Sequence, residues 1–124
     1  MALTAAFGIG IPLAAAPSAL ADNSGSCNWN SVCLFADSDF WGGLWQRDAY
    51  YNTSDQSYNL GDAGFNDSTS SWINNGQHDA KWFWGANLSG GSECMNSSSR
   101  NTYVGWYNND EASSVQVYTD QWAC

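Results

Sequence analysis

Two short segments of this chain carry side chains of one chemical kind at one spacing. Asn66-Asp67-Ser68-Thr69-Ser70-Ser71 recurs 43 residues later as Asn109-Asp110-Glu111-Ala112-Ser113-Ser114. Each offers an amide, a carboxylate and two hydroxyls, and the backbone carbonyl of Ser68 or Glu111 stands at the bend. This is an all-oxygen donor set, the kind that a hard cation such as calcium gathers to about six to eight ligands. The same residue types also build turns without metal, by bonding to their own backbone. One copy alone says little; two matched copies point to a pair of calcium loops.

Other chemistries are poorly supplied. There is no C-x-x-C, and His78 is the only histidine, so a zinc site has too few ligands of the usual kind. The same His78 would have to serve any Ser-His-Asp arrangement. Its neighbour Asp79 points the other way on an extended chain, and no nucleophile elbow is present. A glycosidase needs two positioned carboxylates; Glu93 and Glu111 are the only glutamates, and Glu111 belongs to the second motif. No enzymatic activity is expected. Arg47, Lys81 and Arg100 face twelve acids, a net charge of -9. That balance excludes the basic surface that nucleic acid or anionic lipid requires.

The loops need elements to hold them. The chain shows no helical periodicity, only short β-leaning runs between Gly, Asn, Asp and Ser clusters. These runs are 32–35, 44–48, 70–73, 80–84, 92–95 and 113–118. The last alternates, with Val115 and Val117 on one face. A second repeat precedes each oxygen-rich motif. Phe35-Ala-Asp-Ser-Asp-Phe40-Trp-Gly42 pairs with Phe83-Trp-Gly-Ala-Asn-Leu88-Ser-Gly90, offset by 48 residues. Both read aromatic, four residues, apolar, one residue, Gly, which suits a folded hairpin whose glycine takes φ > 0 or close approach. Each half thus carries the same two signals in the same order. A unit of about 40–50 residues fits a four-stranded Greek key, and two such units would stack face to face on a common core. The expectation is an all-β sandwich of two Greek keys, at about 27–76 and 77–124, within one domain over 22–124.

Residues 1–21 read as a secretory leader: a continuous apolar or small run ending in Ala19-Leu20-Ala21. Pro12 and Pro17 interrupt it and no basic flank follows, which argues against a membrane span. All four cysteines, Cys27, Cys33, Cys94 and Cys124, lie beyond it. An even number in a small exported chain reads as disulfides. Three pairings are open; Cys27–Cys33 is the local choice, and it leaves Cys94–Cys124.

The hairpin pattern "FADSDFWG", with "FWGANLSG" as a near match, resembles the signature of βγ-crystallin-type domains. "NDSTSS" and "NDEASS" resemble that family's calcium motif. The leader, the Cys-x5-Cys before "LF", and the tail also look like the secreted actinobacterial peptidase-inhibitor family that shares this fold. The resemblance implies two calcium ions. Asp67, Ser70, Asp110 and Ser113 would coordinate through side chains, and Ser68 and Glu111 through carbonyls. Asp37 and Gly85 would add hairpin carbonyls, and each half would contribute to the other's ion. Asn66 and Asn109 would shape the loops, and Ser71 and Ser114 would brace them. The function implied is inhibition of an extracellular metallopeptidase by insertion of a rigid exposed loop, in a monomer.

That family pattern would hold such a loop within a short disulfide in the second half, yet the next cysteine after Cys94 is Cys124. Met95–Thr102 is the segment nominated for the role. Two other readings stand beside it: a calcium-stabilised structural or stress protein, and a wall- or glycan-binding, antimicrobial module. Eight Trp, six Tyr and five Phe chiefly fill a core. Adjacent Trp82, Phe83 and Trp84 must nonetheless face alternate sides, so at least one is expected at the surface. Finally, Asn74 stands where the second half places Val117, the first place to look for asymmetry.

Overall fold

The structure is a computed structural model, and it describes residues 22–49, 53–120 and 122–124. The leader expected over 1–21 lies outside the described residues. Among the described residues eight strands follow one another: β1 Ser31–Phe35, β2 Leu44–Asp48, β3 Gln56–Asn59, β4 Ser71–Asn74, β5 Ala80–Gly85, β6 Ser89–Met95, β7 Ser99–Asn101 and β8 Ser114–Val117. Single 3-10 turns lie between them, including Ser38–Phe40 and Ala86–Leu88 inside the two hairpins. None of the described helices is long and apolar enough to cross a membrane.

All pairings are antiparallel, in two four-stranded sheets ordered β2-β1-β4-β7 and β3-β8-β5-β6. The sheets do not coincide with the halves. Each takes three strands from one half and the third strand, β3 or β7, from the other. The expected sandwich of two four-stranded units is present, with one strand of each half exchanged into the other half's sheet. The exchange gives β4 and β8 a second backbone partner and interlocks the halves.

The main core lies between the sheets. Val32, Leu34, Trp45 and Trp72 from one meet Trp82, Met95, Val115 and Val117 from the other. A smaller cluster lies on the outer face of the first sheet, where Cys27, Cys33, Phe35, Phe40 and Ile73 pack together. Central strand β1 is therefore buried at all five positions. Its apolar run without polar alternation is what burial on both faces demands. The disulfides are Cys27–Cys33 and Cys94–Cys124.

Glu93 on β6 ties the sheets across the core. Its Oε2 accepts the indole N–H of Trp72 at 2.6 Å and of Trp82 at 2.8 Å, and its Oε1 accepts Asn101 Nδ2 at 3.2 Å. A buried indole N–H costs free energy unless it finds an acceptor, and one carboxylate serves both.

Asn74 is fully buried. Its Nδ2 donates to His78 O and Met95 O at 2.9 and 2.8 Å, and its Oδ1 accepts Gly76 N–H at 2.8 Å. The asymmetry with Val117 is thus a tie on the segment joining the halves, not a feature of the oxygen-rich loops. The nominated segment Met95–Thr102 also needs correction as a loop. Only Asn96–Ser98 is a turn; Ser99–Asn101 is strand β7, paired to β4.

Candidate metal centre

The two hairpins repeat each other torsion for torsion. Asp39 and Asn87 both take φ 56°, Phe40 and Leu88 take 65° and 61°, and Gly42 and Gly90 both take 79°. At Gly42 an added Cβ would also lie 2.6 Å from Asp37 Oδ2. The signature glycine is therefore demanded twice over, by its torsion and by the close approach.

The oxygen-rich motifs repeat in the same way. Asp67 and Asp110 adopt left-handed φ values of 55° and 61°. Asp67 N–H donates to Ala112 O at 2.8 Å, and Asp110 N–H donates to Thr69 O at 2.9 Å, so the motifs lie side by side. Ser70 N–H and Ser113 N–H donate to Phe35 O and Phe83 O, each at 2.8 Å, anchoring each motif to its own hairpin.

Ser71 and Ser114 clasp the hairpins. Ser71 Oγ donates to Asp37 O at 2.7 Å and accepts Phe40 N–H at 3.0 Å. Ser114 Oγ donates to Gly85 O at 2.6 Å and accepts Leu88 N–H at 2.9 Å. Each of these carbonyls keeps a second lone pair. The other half covers each hairpin from above. Asp39 N–H donates to Thr102 O at 2.8 Å, beyond β7. Asn87 forms a reciprocal pair with Asn59 at the end of β3, Nδ2 of Asn59 to Oδ1 of Asn87 at 3.0 Å and Asn87 N–H to Asn59 Oδ1 at 2.8 Å.

The side chains of the two motifs are not equivalent. Ser113 Oγ donates to Asp67 Oδ1 at 3.1 Å, bringing a carboxylate of one half onto a hydroxyl of the other. Ser70 Oγ, the counterpart, donates instead to Ala36 O at 2.8 Å. Asp110 Oδ2 accepts Asn109 Nδ2 at 3.2 Å. Ser70 and Ser113 are buried, Asp67, Asp110, Glu111, Asp37 and Asn66 are exposed, and Ser68 and Gly85 lie between. The donors suit a hard cation. They are all oxygen, and Asn109 Oδ1 is buried with no hydrogen-bond partner among the described residues, beside the Asp110 carboxylate.

Sequence reasoning gave Asp79 no role. It is 1% exposed. Its Oδ1 accepts Ser97 N–H at 2.9 Å and its Oδ2 accepts Cys124 N–H at 3.0 Å. Asp79 lies close to Cys94 and Cys124, but both sulfurs are committed to a disulfide, so this cluster is no thiolate metal site. No spacing in the sequence links Asp79 to residues 97 and 124. Trp82 is buried and Phe83 half-buried, and Trp84, which alternation alone would place on the face of Trp82, is exposed at the register shift between Phe83 and Gly85, its Nε1 donating to Asn108 Oδ1 at 3.0 Å. Trp106 and Tyr107 are also exposed and stack on each other at 4.1 Å.

Residues 21–95 match peptidase inhibitor family I36. No curated protein is significantly similar in sequence. Among solved structures, the chain is similar to a βγ-crystallin from Ciona intestinalis at 28% identity and TM-score 0.57, covering 68% of this chain and 95% of that one. It is similar to a βγ-crystallin domain from Clostridium beijerinckii at 20% identity and TM-score 0.58, covering 71% and 97%. A βγ-crystallin domain from Flavobacterium johnsoniae matches at 22% identity and TM-score 0.54, covering 71% and 94%. The fold is βγ-crystallin-type.

Proposed function

The chain belongs to peptidase inhibitor family I36, and on that ground we propose that it is a secreted, calcium-binding inhibitor of an extracellular metallopeptidase. An inhibitor binds the peptidase rather than turning over a substrate, so the chain is assigned no enzymatic activity. The A-x-A pattern at 19–21 supports export.

The observation that carries the calcium reading is the Asp67–Ser113 contact between duplicated loops. One ion would be held by Asp67 and Ser113 side chains and the other by Asp110 and Ser70. Ser68, Glu111, Asp37 and Gly85 would add backbone carbonyls. Calcium would supply a positive charge that joins the two halves. The Asn96–Ser98 turn is the exposed, backbone-tied element assigned to the peptidase.

Titration against a thermolysin-like metallopeptidase tests the inhibitor reading. Stoichiometric loss of peptidase activity is expected; no inhibition at micromolar protein sinks it for that class. A second reading, a wall- or glycan-binding module, is favoured by the exposed Trp106–Tyr107 stack. Pull-down on chitin, glucan and peptidoglycan decides it, and uniform failure to bind removes it.

A further inference from the structure

We infer that Asp79 and the C-terminal residues form a latch that holds the Asn96–Ser98 turn in the conformation that engages the peptidase. The inference rests on the inhibitor reading, and on this turn as its contact. A rigid segment binds with less ordering cost than a loose one, so what stiffens the turn matters to function.

The turn is tied along its whole length. Met95 O, just before it, accepts Asn74 Nδ2 at 2.8 Å. Ser97 N–H donates to Asp79 Oδ1 at 2.9 Å, and Ser98 N–H donates to Gly76 O at 3.1 Å. Ser98 holds a left-handed φ of 55°, and Ser99 Oγ donates back to Asn96 O at 2.6 Å. Asn96 and Ser98 still face solvent. The turn is thus presented outward while its backbone is fixed from behind.

Asp79 is the shared post. Its second oxygen accepts Cys124 N–H at 3.0 Å, and Cys124 is bonded to Cys94, one residue before Met95. The main chain of Asp79 is held as well, its N–H donating to Asp120 O and its O accepting Tyr118 N–H. A carboxylate this deeply buried is costly unless paired. Here two backbone N–H groups pair it, and hydrogen bonds to a charged acceptor are the stronger kind. The closing covalent link therefore lies behind the turn. A short disulfide loop would instead place it around the turn. Asp79 is a positioning residue; it need not touch the peptidase.

The test compares wild type, Asp79→Asn and the Cys94→Ser/Cys124→Ser double variant. Three readouts apply: inhibition of a thermolysin-like metallopeptidase, mass-spectrometric detection of cleavage within residues 95–99, and amide hydrogen exchange. Asp79→Asn keeps the volume and one acceptor oxygen. It should weaken inhibition roughly ten- to a hundredfold, the equivalent of losing a hydrogen bond to a charged group. The turn should then be cut, and Ser97 and Ser98 amides should exchange faster while those of β1 and β8 stay protected. The double variant frees the tail but keeps Asp79, and it should show the same pattern more weakly. It decides the question if Asp79→Asn fails to fold. Unchanged inhibition and unchanged turn protection in both variants overturn the latch. If wild type itself does not inhibit, the inhibitor reading falls and the functional half of the latch with it. Accelerated exchange in Asp79→Asn would then show the latch as a structural tie only.

Discussion

Ser113 Oγ meets Asp67 Oδ1 at 3.1 Å, across 46 residues of sequence and between the two halves. The counterpart hydroxyl of Ser70 is turned away to Ala36 O. One carboxylate–hydroxyl pair is therefore already in contact across the halves, while Ser70 Oγ is tied to Ala36 O by a part-buried hydrogen bond and offers an ion its lone pairs from that fixed position. Calorimetry on metal-stripped protein should resolve two calcium sites of unequal affinity, the tighter one lost in Asp67→Asn and Ser113→Ala. Two identical sites, or no heat at millimolar calcium, contradict this.

Calcium should also raise the melting temperature. At about a hundred times its Kd, a ligand adds about 2.7 kcal/mol per site. For a domain near 100 residues each kcal/mol shifts the midpoint by roughly 4–8 °C. Scanning calorimetry with and without chelator checks this; a coincident pair of curves counts against the site.

Asn74→Val would copy the residue that the second half uses at this position, and it should still destabilise. It strands Met95 O, His78 O and Gly76 N–H in a buried place. A buried group left unpaired costs about 1–3 kcal/mol, so a loss of roughly 2–4 kcal/mol is expected in urea titration. A stability equal to wild type would mean that the linker repacks.

Glu93→Ala should cost a similar amount, because the Trp72 and Trp82 indoles lose their shared acceptor. Removing one hydrogen-bonded partner in a buried site costs about 1–3 kcal/mol per orphaned group. Urea unfolding followed by tryptophan fluorescence reads it. Glu93→Gln keeps one acceptor oxygen and should lose less; an equal loss would point to the charge rather than the hydrogen bonds.

The disulfides should contribute unequally. Cys94–Cys124 spans 30 residues and Cys27–Cys33 spans 6. Chain-entropy arguments give about 4 kcal/mol for the longer loop and about 2 kcal/mol for the shorter. Denaturation of the two Cys→Ser double variants should show that order. The reverse order would place the main effect in native packing instead.

What could be read from the sequence was whatever depends on neighbours along the chain. The hairpin torsions at Asp39, Phe40 and Gly42 recur at Asn87, Leu88 and Gly90 because the local residue pattern recurs. Six strands announced themselves by apolar or β-branched runs. The two missed, β3 and β7, are polar edge strands that bury little. An edge strand is held by backbone hydrogen bonds to its neighbour, and those bonds leave no mark in side-chain composition. β3 and β7 are also the strands that cross to the other half's sheet, so the interlocking of the halves was unreadable. The same holds for Asp67 with Ser113, for Glu93 with two indoles, and for Asp79 between Ser97 and Cys124. Each pairs residues that only the closing of the sandwich brings together. Sequence alone determined which residues form the loops; tertiary packing decided which partners those residues meet.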